Sequence, residues 1–433
     1  MNKREKLIKD AGAEIGDIVE LNKDGVPCKG RLMPHHEFSA EDIITIKRND
    51  GYNIGVAVTE KSTLKVIQKK EDRIVKHETS STSPNKPTVS IIGTGGTIAS
   101  YVDYRTGAVH PAKTSDEIVA SVPELKDICN VRGSVLFSIM SEDMQPAYWQ
   151  KIAREVKKEL DSGASGVVIT HGTDTMGYTA AVLSFMLRNL TGPVVLTGSQ
   201  RSSDRPSSDA NINLLSAVRV ATSDIGEVVV VMHGETSDNY GLIHRGTKVR
   251  KMHTSRRDAF QSINTLPIGK VEDGKIKFLQ EHRKKSNGVT EIHDTLNENV
   301  CLIHTYPGMD VQLFEYTMKK HDGIVIAGTG LGHTPTKFIE SIKNAVKAGK
   351  IVVMTSQCLF GRTNMNVYST GRDLLKAGVI SGEDTLPETA YVKLMWALGQ
   401  TKEHSEIIKL MRTNVAGEIG ERTTVDAFYH PKV

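Results

Sequence analysis

Val89-Ser90-Ile91-Ile92-Gly93-Thr94-Gly95-Gly96-Thr97-Ile98-Ala99-Ser100 runs an apolar strand candidate, Val89–Ile92, straight into a glycine-rich turn. Glycines let the backbone turn sharply there, and Thr94 falls at the carboxyl end of the strand. In open α/β sheets that end of a strand is where ligands bind. A phosphate-binding loop or a plain strand-to-loop turn fits the same residues. The stretch contains no GxxxxGK[ST], and no GxGxxG leads into a helix, so nucleotide binding gains little support.

The flanking sequence places that strand in a parallel sheet. Gly166–Thr170, Pro193–Thr197 and Glu227–Met232 are near-continuous apolar runs, and they alternate with the amphipathic stretches Ala147–Leu160, Tyr178–Leu190 and Asp209–Thr222. Such alternation predicts a sheet covered by helices on both faces. A second set follows a charged stretch: Val300–His304, Gly323–Ala327 and Ile351–Thr355, with helices near Val311–Lys319, Lys337–Ala348, Pro387–Leu398 and Lys402–Arg412. Residues 15–69 differ, because short strands there are cut by Asp24-Gly25 and Asp50-Gly51, the residue pair that a tight hairpin turn needs. That pattern predicts a small SH3- or Tudor-like β-barrel. The expected organisation is a barrel over 1–75, a Ser/Thr-rich linker over 76–87, and α/β domains over 88–275 and 299–433 joined by a linker over 276–298.

Two further segments carry chemistry. Strand Gly166–Thr170 ends in His171-Gly172-Thr173-Asp174-Thr175-Met176, which brings a hydroxyl and a carboxylate to a second strand's carboxyl end. An ordinary helix N-cap also explains those residues. The stretch Ile243–Asp258 holds Arg245, Lys248, Arg250, Lys251, Arg256 and Arg257 and reads as a basic loop, either solvated or anion-binding. A threonine hydroxyl is a poor nucleophile until its proton is removed, and a partly desolvated lysine beside a carboxylate can serve that need.

Thr94-Gly95-Gly96-Thr97-Ile98-Ala99 and His171–Met176 together resemble the two signature motifs of bacterial-type L-asparaginases, over roughly residues 88–433. The resemblance implies two α/β domains and acyl transfer through a covalent intermediate. Thr94 resembles the nucleophile, and Thr173 with Asp174 the second threonine and its carboxylate partner. The family's lysine precedes an aromatic-x-Ser-hydrophobic-Asn segment, which Phe260-Gln261-Ser262-Ile263-Asn264 matches; this points to Lys251, with Lys248 as the competing choice. The mobile tyrosine of the family corresponds to Tyr104, followed by Arg105-Thr106-Gly107, in preference to Tyr101. Ser141 and Glu142 correspond to the substrate-carboxylate pair, with Glu where many relatives carry Gln. Amides near Gly95 and Thr173 would hold the oxyanion.

The extra N-terminal domain and the stretch Lys248–Asp258 resemble the asparaginase-like D subunit of the archaeal glutamyl-tRNA(Gln) amidotransferases. That likeness implies ammonia release from glutamine or asparagine for a partner, the E subunit. ATP, Mg and most tRNA(Gln) contact would lie on the partner, and this chain would form a homodimer inside a heterotetramer. A stand-alone asparaginase or glutaminase, or a binding protein on the same fold, are the alternatives. Composition agrees with a soluble cytoplasmic enzyme: 38% hydrophobic and 24% charged residues suit a globular chain, and no run approaches the ~18 apolar residues a membrane span needs. Four separated cysteines without a CxxC, and histidines without HExxH, predict neither a disulfide scaffold nor a metal site.

Overall fold

The computed structural model describes residues 2–35, 40–48, 52–69, 83–95, 100–103, 108–111, 122–201 and 207–428. Helix α1 (Lys3–Asp10) opens the chain; the Asn2 side chain accepts from the Glu5 amide, and the Asn2 N–H donates to the Glu5 carboxylate. A five-stranded antiparallel sheet follows: β1 (Ile18–Lys23), β2 (Val26–Leu32), β3 (Ile43–Lys47), β4 (Asn53–Ala57) and β5 (Thr63–Gln68), in the order β4-β3-β2-β1-β5. Asp24 and Gly25 join β1 to β2 with φ of 52° and 85°, as a type I′ turn requires. The second expected turn, Asn49-Asp50-Gly51, lies outside the described residues. Val19, Leu21, Leu32, Ile44 and Ile46 fill this sheet's own core.

The glycine-rich turn leaves the largest sheet. Its strands are β6 (Thr88–Gly93), β9 (Asn130–Val135), β10 (Gly166–Thr170), β12 (Val194–Thr197), β13 (Val228–His233), β14 (Tyr240–Arg245), β17 (Gly269–Glu272) and β18 (Lys275–Phe278). Two short strands, β7 (Ser100–Asp103) and β8 (Ala108–Pro111), pair with each other, and β11 (Leu187–Arg188) pairs with β19 (Glu291–Ile292). The order β18-β17-β14-β13-β12-β10-β6-β9 has a parallel centre, with β14, β17 and β18 added antiparallel at one edge. Four helices are described alongside these strands: α2 (Leu125–Ile128), α3 (Pro146–Asp161), α4 (Met176–Met186) and α5 (Ala210–Ala221).

The sheet runs past the boundary expected at 275. Asp273 and Gly274 take φ of 50° and 68° and fold β17 onto β18, the same Asp-Gly signal that marks the first hairpin. The charged stretch 276–298 is correspondingly held: an Ile225–Lys284 bridge and the β11–β19 pair tie it to the first domain. Of the expected linker 76–87, residues 76–82 lie outside the described ones, and Ser83 is held by Asn130, its N–H donating to Oδ1 at 2.9 Å.

The stretch 243–258 is not the loop its charge suggests. Its first residues belong to β14, and β15 (Val249–Lys251) pairs with β16 (Phe260–Ser262). Charge hid the strands because two cations of the stretch have buried partners instead of solvent. Arg245 donates twice to Glu227 at 2.7 and 3.1 Å, and Lys248 pairs with Asp384 at 2.7 Å.

The second domain carries the parallel sheet β20 (Val300–His304), β21 (Gly323–Gly328), β22 (Ile351–Ser356) and β23 (Ile380–Ser381), in that order. Its helices are α6 (Val311–Lys320), α7 (Ile339–Lys347), α8 (Ser369–Lys376), α9 (Pro387–Gln400) and α10 (His404–Arg412). Helix α9 begins with Pro387 in its first turn, where the missing N–H costs nothing. Its apolar surface meets α4, with Phe185 stacked on Trp396 at 5.8 Å between centroids, so one hydrophobic cluster spans both domains. Among the described residues no helix is long and apolar enough to cross a membrane.

Candidate active site

Parallel register brings the two motifs together. Gly93 of β6 stands opposite Thr170 of β10, so Thr94 and the turn 171–175 leave adjacent strands at the same edge. Thr94 is buried, at 2% exposure, and both its N–H (3.1 Å) and its hydroxyl (2.9 Å) donate to the Thr170 carbonyl. The next residue must be glycine. Gly95 has φ +124°, and a Cβ there would lie 2.2 Å from the Ile139 carbonyl oxygen. Gly95→Ala is therefore expected to lower stability by at least about 2 kcal/mol and to disorder the Thr94 turn. A lower unfolding midpoint for the alanine variant checks this.

The second motif is ordered from below by a chain of hydrogen bonds. Trp149 Nε1–H donates to Thr179 Oγ1 (3.0 Å), leaving that hydroxyl to donate to His171 Nε2 (2.9 Å). His171 Nδ1–H then donates to the Gly172 carbonyl (2.6 Å), a tautomer assigned by the network. Burial pushes the His171 imidazole down to about 4, so it is neutral near pH 7. Gly172 allows close approach to Ser141, whose Cβ would be 2.6 Å from a Cβ at 172.

Above that foundation the charged groups meet. Lys251 Nζ donates to Thr173 Oγ1 and to Asp174 Oδ1, both at 2.8 Å. Ser141 donates its hydroxyl to Asp174 Oδ2 at 3.3 Å, and Thr175 donates to the Ser141 carbonyl at 2.7 Å. The hydrogen bond from Lys251 holds the Asp174 carboxyl below the ordinary carboxylate range. Glu142 follows Ser141 in a short 3₁₀ turn and is exposed.

The competing lysine stands elsewhere. Lys248 is 2% exposed, and its ammonium donates to both Oδ2 and the carbonyl of Asp384. Burial pushes its pKa down, against the opposing pull of Asp384. Desolvation, the property a lysine base was expected to show, thus marks the lysine that bridges the domains. Tyr104 lies outside the described residues, as do Gly96–Ala99. Sequence reasoning missed Thr175 and His171, although both sit within the second motif.

Comparison with known proteins assigns the chain to a family. Residues 88–284 match the family described as "Asparaginase, N-terminal", 299–411 the "Glutaminase/Asparaginase C-terminal domain", and 13–67 the "GatD N-terminal domain". The D subunit of glutamyl-tRNA(Gln) amidotransferase from Pyrococcus furiosus is 57% identical over 98% of this chain and 99% of its own length. The chain belongs to that amidotransferase-subunit family. Another member, from Sulfolobus acidocaldarius, is 50% identical across 100% of this chain and 98% of its own. The family shares its two α/β domains with L-asparaginases. The thermostable L-asparaginase from Thermococcus kodakarensis superposes with a TM-score of 0.71 at 35% identity, covering 77% of this chain and 100% of that one. L-asparaginase I from Vibrio cholerae gives 0.67 at 31%, over 77% of this chain and 99% of its own.

Proposed function

We propose that this chain releases ammonia from the carboxamide of glutamine or asparagine, as the amidase subunit of a tRNA-dependent amidotransferase. The observation that carries the reading is the Lys251–Thr173–Asp174 group, at 2.8 Å from the ammonium to each partner, on the strand edge that also bears Thr94.

Thr94 Oγ attacks the carboxamide carbon after leaving the Thr170 carbonyl, and Tyr104 helps to take its proton. Amides near Gly95 and Thr173 hold the oxyanion. The C–N bond breaks, the departing nitrogen takes up a proton, and ammonia leaves an ester on Thr94. Water positioned by Thr173, Asp174 and Lys251 then attacks the ester carbon, returning the proton to Thr94 and releasing the carboxylate. Ser141 receives the substrate's α-carboxylate through its hydroxyl, and Glu142 beside it, a carboxylate itself, accepts from the substrate's α-ammonium. No step requires a metal in this chain.

Ammonia passes to a partner, the E subunit, which uses ATP and Mg to convert Glu-tRNA(Gln) to Gln-tRNA(Gln) and makes most of the tRNA contact. The assembly is cytoplasmic, with a homodimer of this chain inside a heterotetramer. The N-terminal sheet is an SH3-like barrel; the pairing of β1 with both β2 and β5 supports this, because it carries the meander back to its own first strand.

The test is ammonia release from glutamine and from asparagine, with and without the partner and Glu-tRNA(Gln). Thr94→Ala is expected to abolish release while leaving the fold and assembly intact. Full activity in T94A sinks the amidase reading. Equal turnover without partner or tRNA instead makes the chain a free-standing asparaginase or glutaminase.

A further inference from the structure

The strand that carries Lys251 is poorly supported by its own sheet. β15 and β16 form a two-stranded sheet of three residue pairs, separate from the large sheet. An isolated hairpin is marginal in water, so its position must be set by tertiary contacts. Some of those contacts come from the first domain, such as the His244–Ser262 hydrogen bond from β14 (2.8 Å); the others come from the second domain, at and just before the start of α9. Asp384 takes the buried Lys248 just before β15, and its carbonyl accepts from Asn264 Nδ2 (3.1 Å) just after β16. Thr389 donates to the Thr247 carbonyl at 2.9 Å. Inside the strand, Arg250 pairs with Glu388 at 2.8 Å, one residue before Lys251.

Strand periodicity gives that pair its leverage. Residues 248 and 250 point to one face, 249 and 251 to the other. Val249 is buried in the core that joins the domains. A charged pair on the opposite face therefore opposes rotation of the strand about its axis, the motion that would swing Lys251 off Thr173. The same helix also holds the other half of the group. Tyr391 of α9 meets Tyr178 of α4 edge-on at 6.3 Å, and α4 starts at Met176, two residues after Asp174. The other carboxylate oxygen of Glu388, Oε2, is buried without a hydrogen-bond partner among the described residues.

We propose that Arg250 and Glu388 are positioning residues that set Lys251 against Thr173 and Asp174, so that turnover depends on the second domain's α9. This rests on the role given to Lys251 above. Partly exposed ion pairs contribute little to stability, whereas misplacing a catalytic group by about 1 Å costs up to 10²-fold in rate. The two roles therefore separate in experiment.

The full chain, assembled with its partner, is assayed for glutamine hydrolysis as Glu388→Gln and as Arg250→Met. The expected result is a fall in kcat of about tenfold, with KM within about twofold and little change in unfolding midpoint. The exchanged pair, Arg250→Glu with Glu388→Arg, is expected to recover activity over either single charge reversal. Wild-type kcat in both E388Q and R250M overturns the proposal, as does a lower midpoint with unchanged kcat per folded molecule. If neither variant folds, Arg250→Lys, which keeps the charge and removes the fork, carries the same reading of kcat against KM. Lys251→Met separates the two ideas. An active K251M sinks the site reading itself, whereas an inactive K251M beside wild-type turnover in E388Q and R250M sinks only the positioning.

Discussion

Lys251→Met is expected to cut ammonia release by about 10²–10⁴-fold while leaving the unfolding midpoint almost unchanged, and Lys248→Met to do the reverse. The physical difference is solvent. Asp174, the partner of Lys251, has a side chain 67% exposed, so water replaces the lost ammonium and the fold loses within about 1 kcal/mol. Thr173 nevertheless loses the ammonium that donates to its hydroxyl, and the group that positions water loses its cation. Asp384, the partner of Lys248, is 1% exposed, and removing its cation strands a carboxylate away from water. That costs about 3–5 kcal/mol. Arg362, at 3.5 Å from the other carboxylate oxygen, recovers part of it. Turnover at saturating glutamine and thermal unfolding, measured on both variants, decide the matter. A stable but inactive K248M beside an active K251M would reassign the catalytic lysine.

Acid is expected to unfold this protein in a window set by two imidazoles. Burial pushes His171 down to about 4 and His244 down to about 3, so the folded chain holds both neutral where an unfolded chain protonates near 6.5. The stability that depends on their neutrality is fully present above pH 6.5. It is lost as pH falls, at about 1.4 kcal/mol per pH unit for each histidine, until the folded values are reached. Together they remove about 4 kcal/mol between pH 6.5 and 5. The depressed carboxyls of Asp174 and Glu227 act in the same direction but only below the ordinary carboxylate range, so they leave this window clear. Denaturant midpoints measured from pH 7 to 5 should fall steeply, and His171→Gln should remove about half of the slope. A flat profile would show that the buried imidazoles accept protons within the fold.

His244 shows why part of the interior was not legible from sequence. It sits between Ile243 and Arg245 in β14 and gives no sign of burial in the sequence, yet its Nδ1 bonds Ser262 across to β16, and its Nε2 has no partner among the described residues. The same holds for Lys248 and Lys393, both about 1–2% exposed, whose partners Asp384 and Glu418 lie 136 and 25 residues further along. A sequence window cannot see partners at that range, so the stretch 243–258 read as a basic loop, solvated or anion-binding. By contrast the strands Gly166–Thr170 and Ile351–Ser356 were legible because they are buried on both faces, and double burial leaves only apolar residues acceptable.

Local physics is thus what the sequence by itself determined: apolar strands alternating with amphipathic helices, Asp-Gly at a hairpin turn, and two hydroxyl-bearing turns at strand ends. Each depends on residues within a few positions of one another, where backbone sterics and periodicity act directly. Only the tertiary structure decided which lysine reaches Thr173 and Asp174, and that the second domain holds the hairpin carrying it. Lys248 and Lys251 are alike in chemistry and three residues apart. Strand direction and the placement of Asp384 and Glu388 at the start of a distant helix send one ammonium into the domain junction and the other to the cleft.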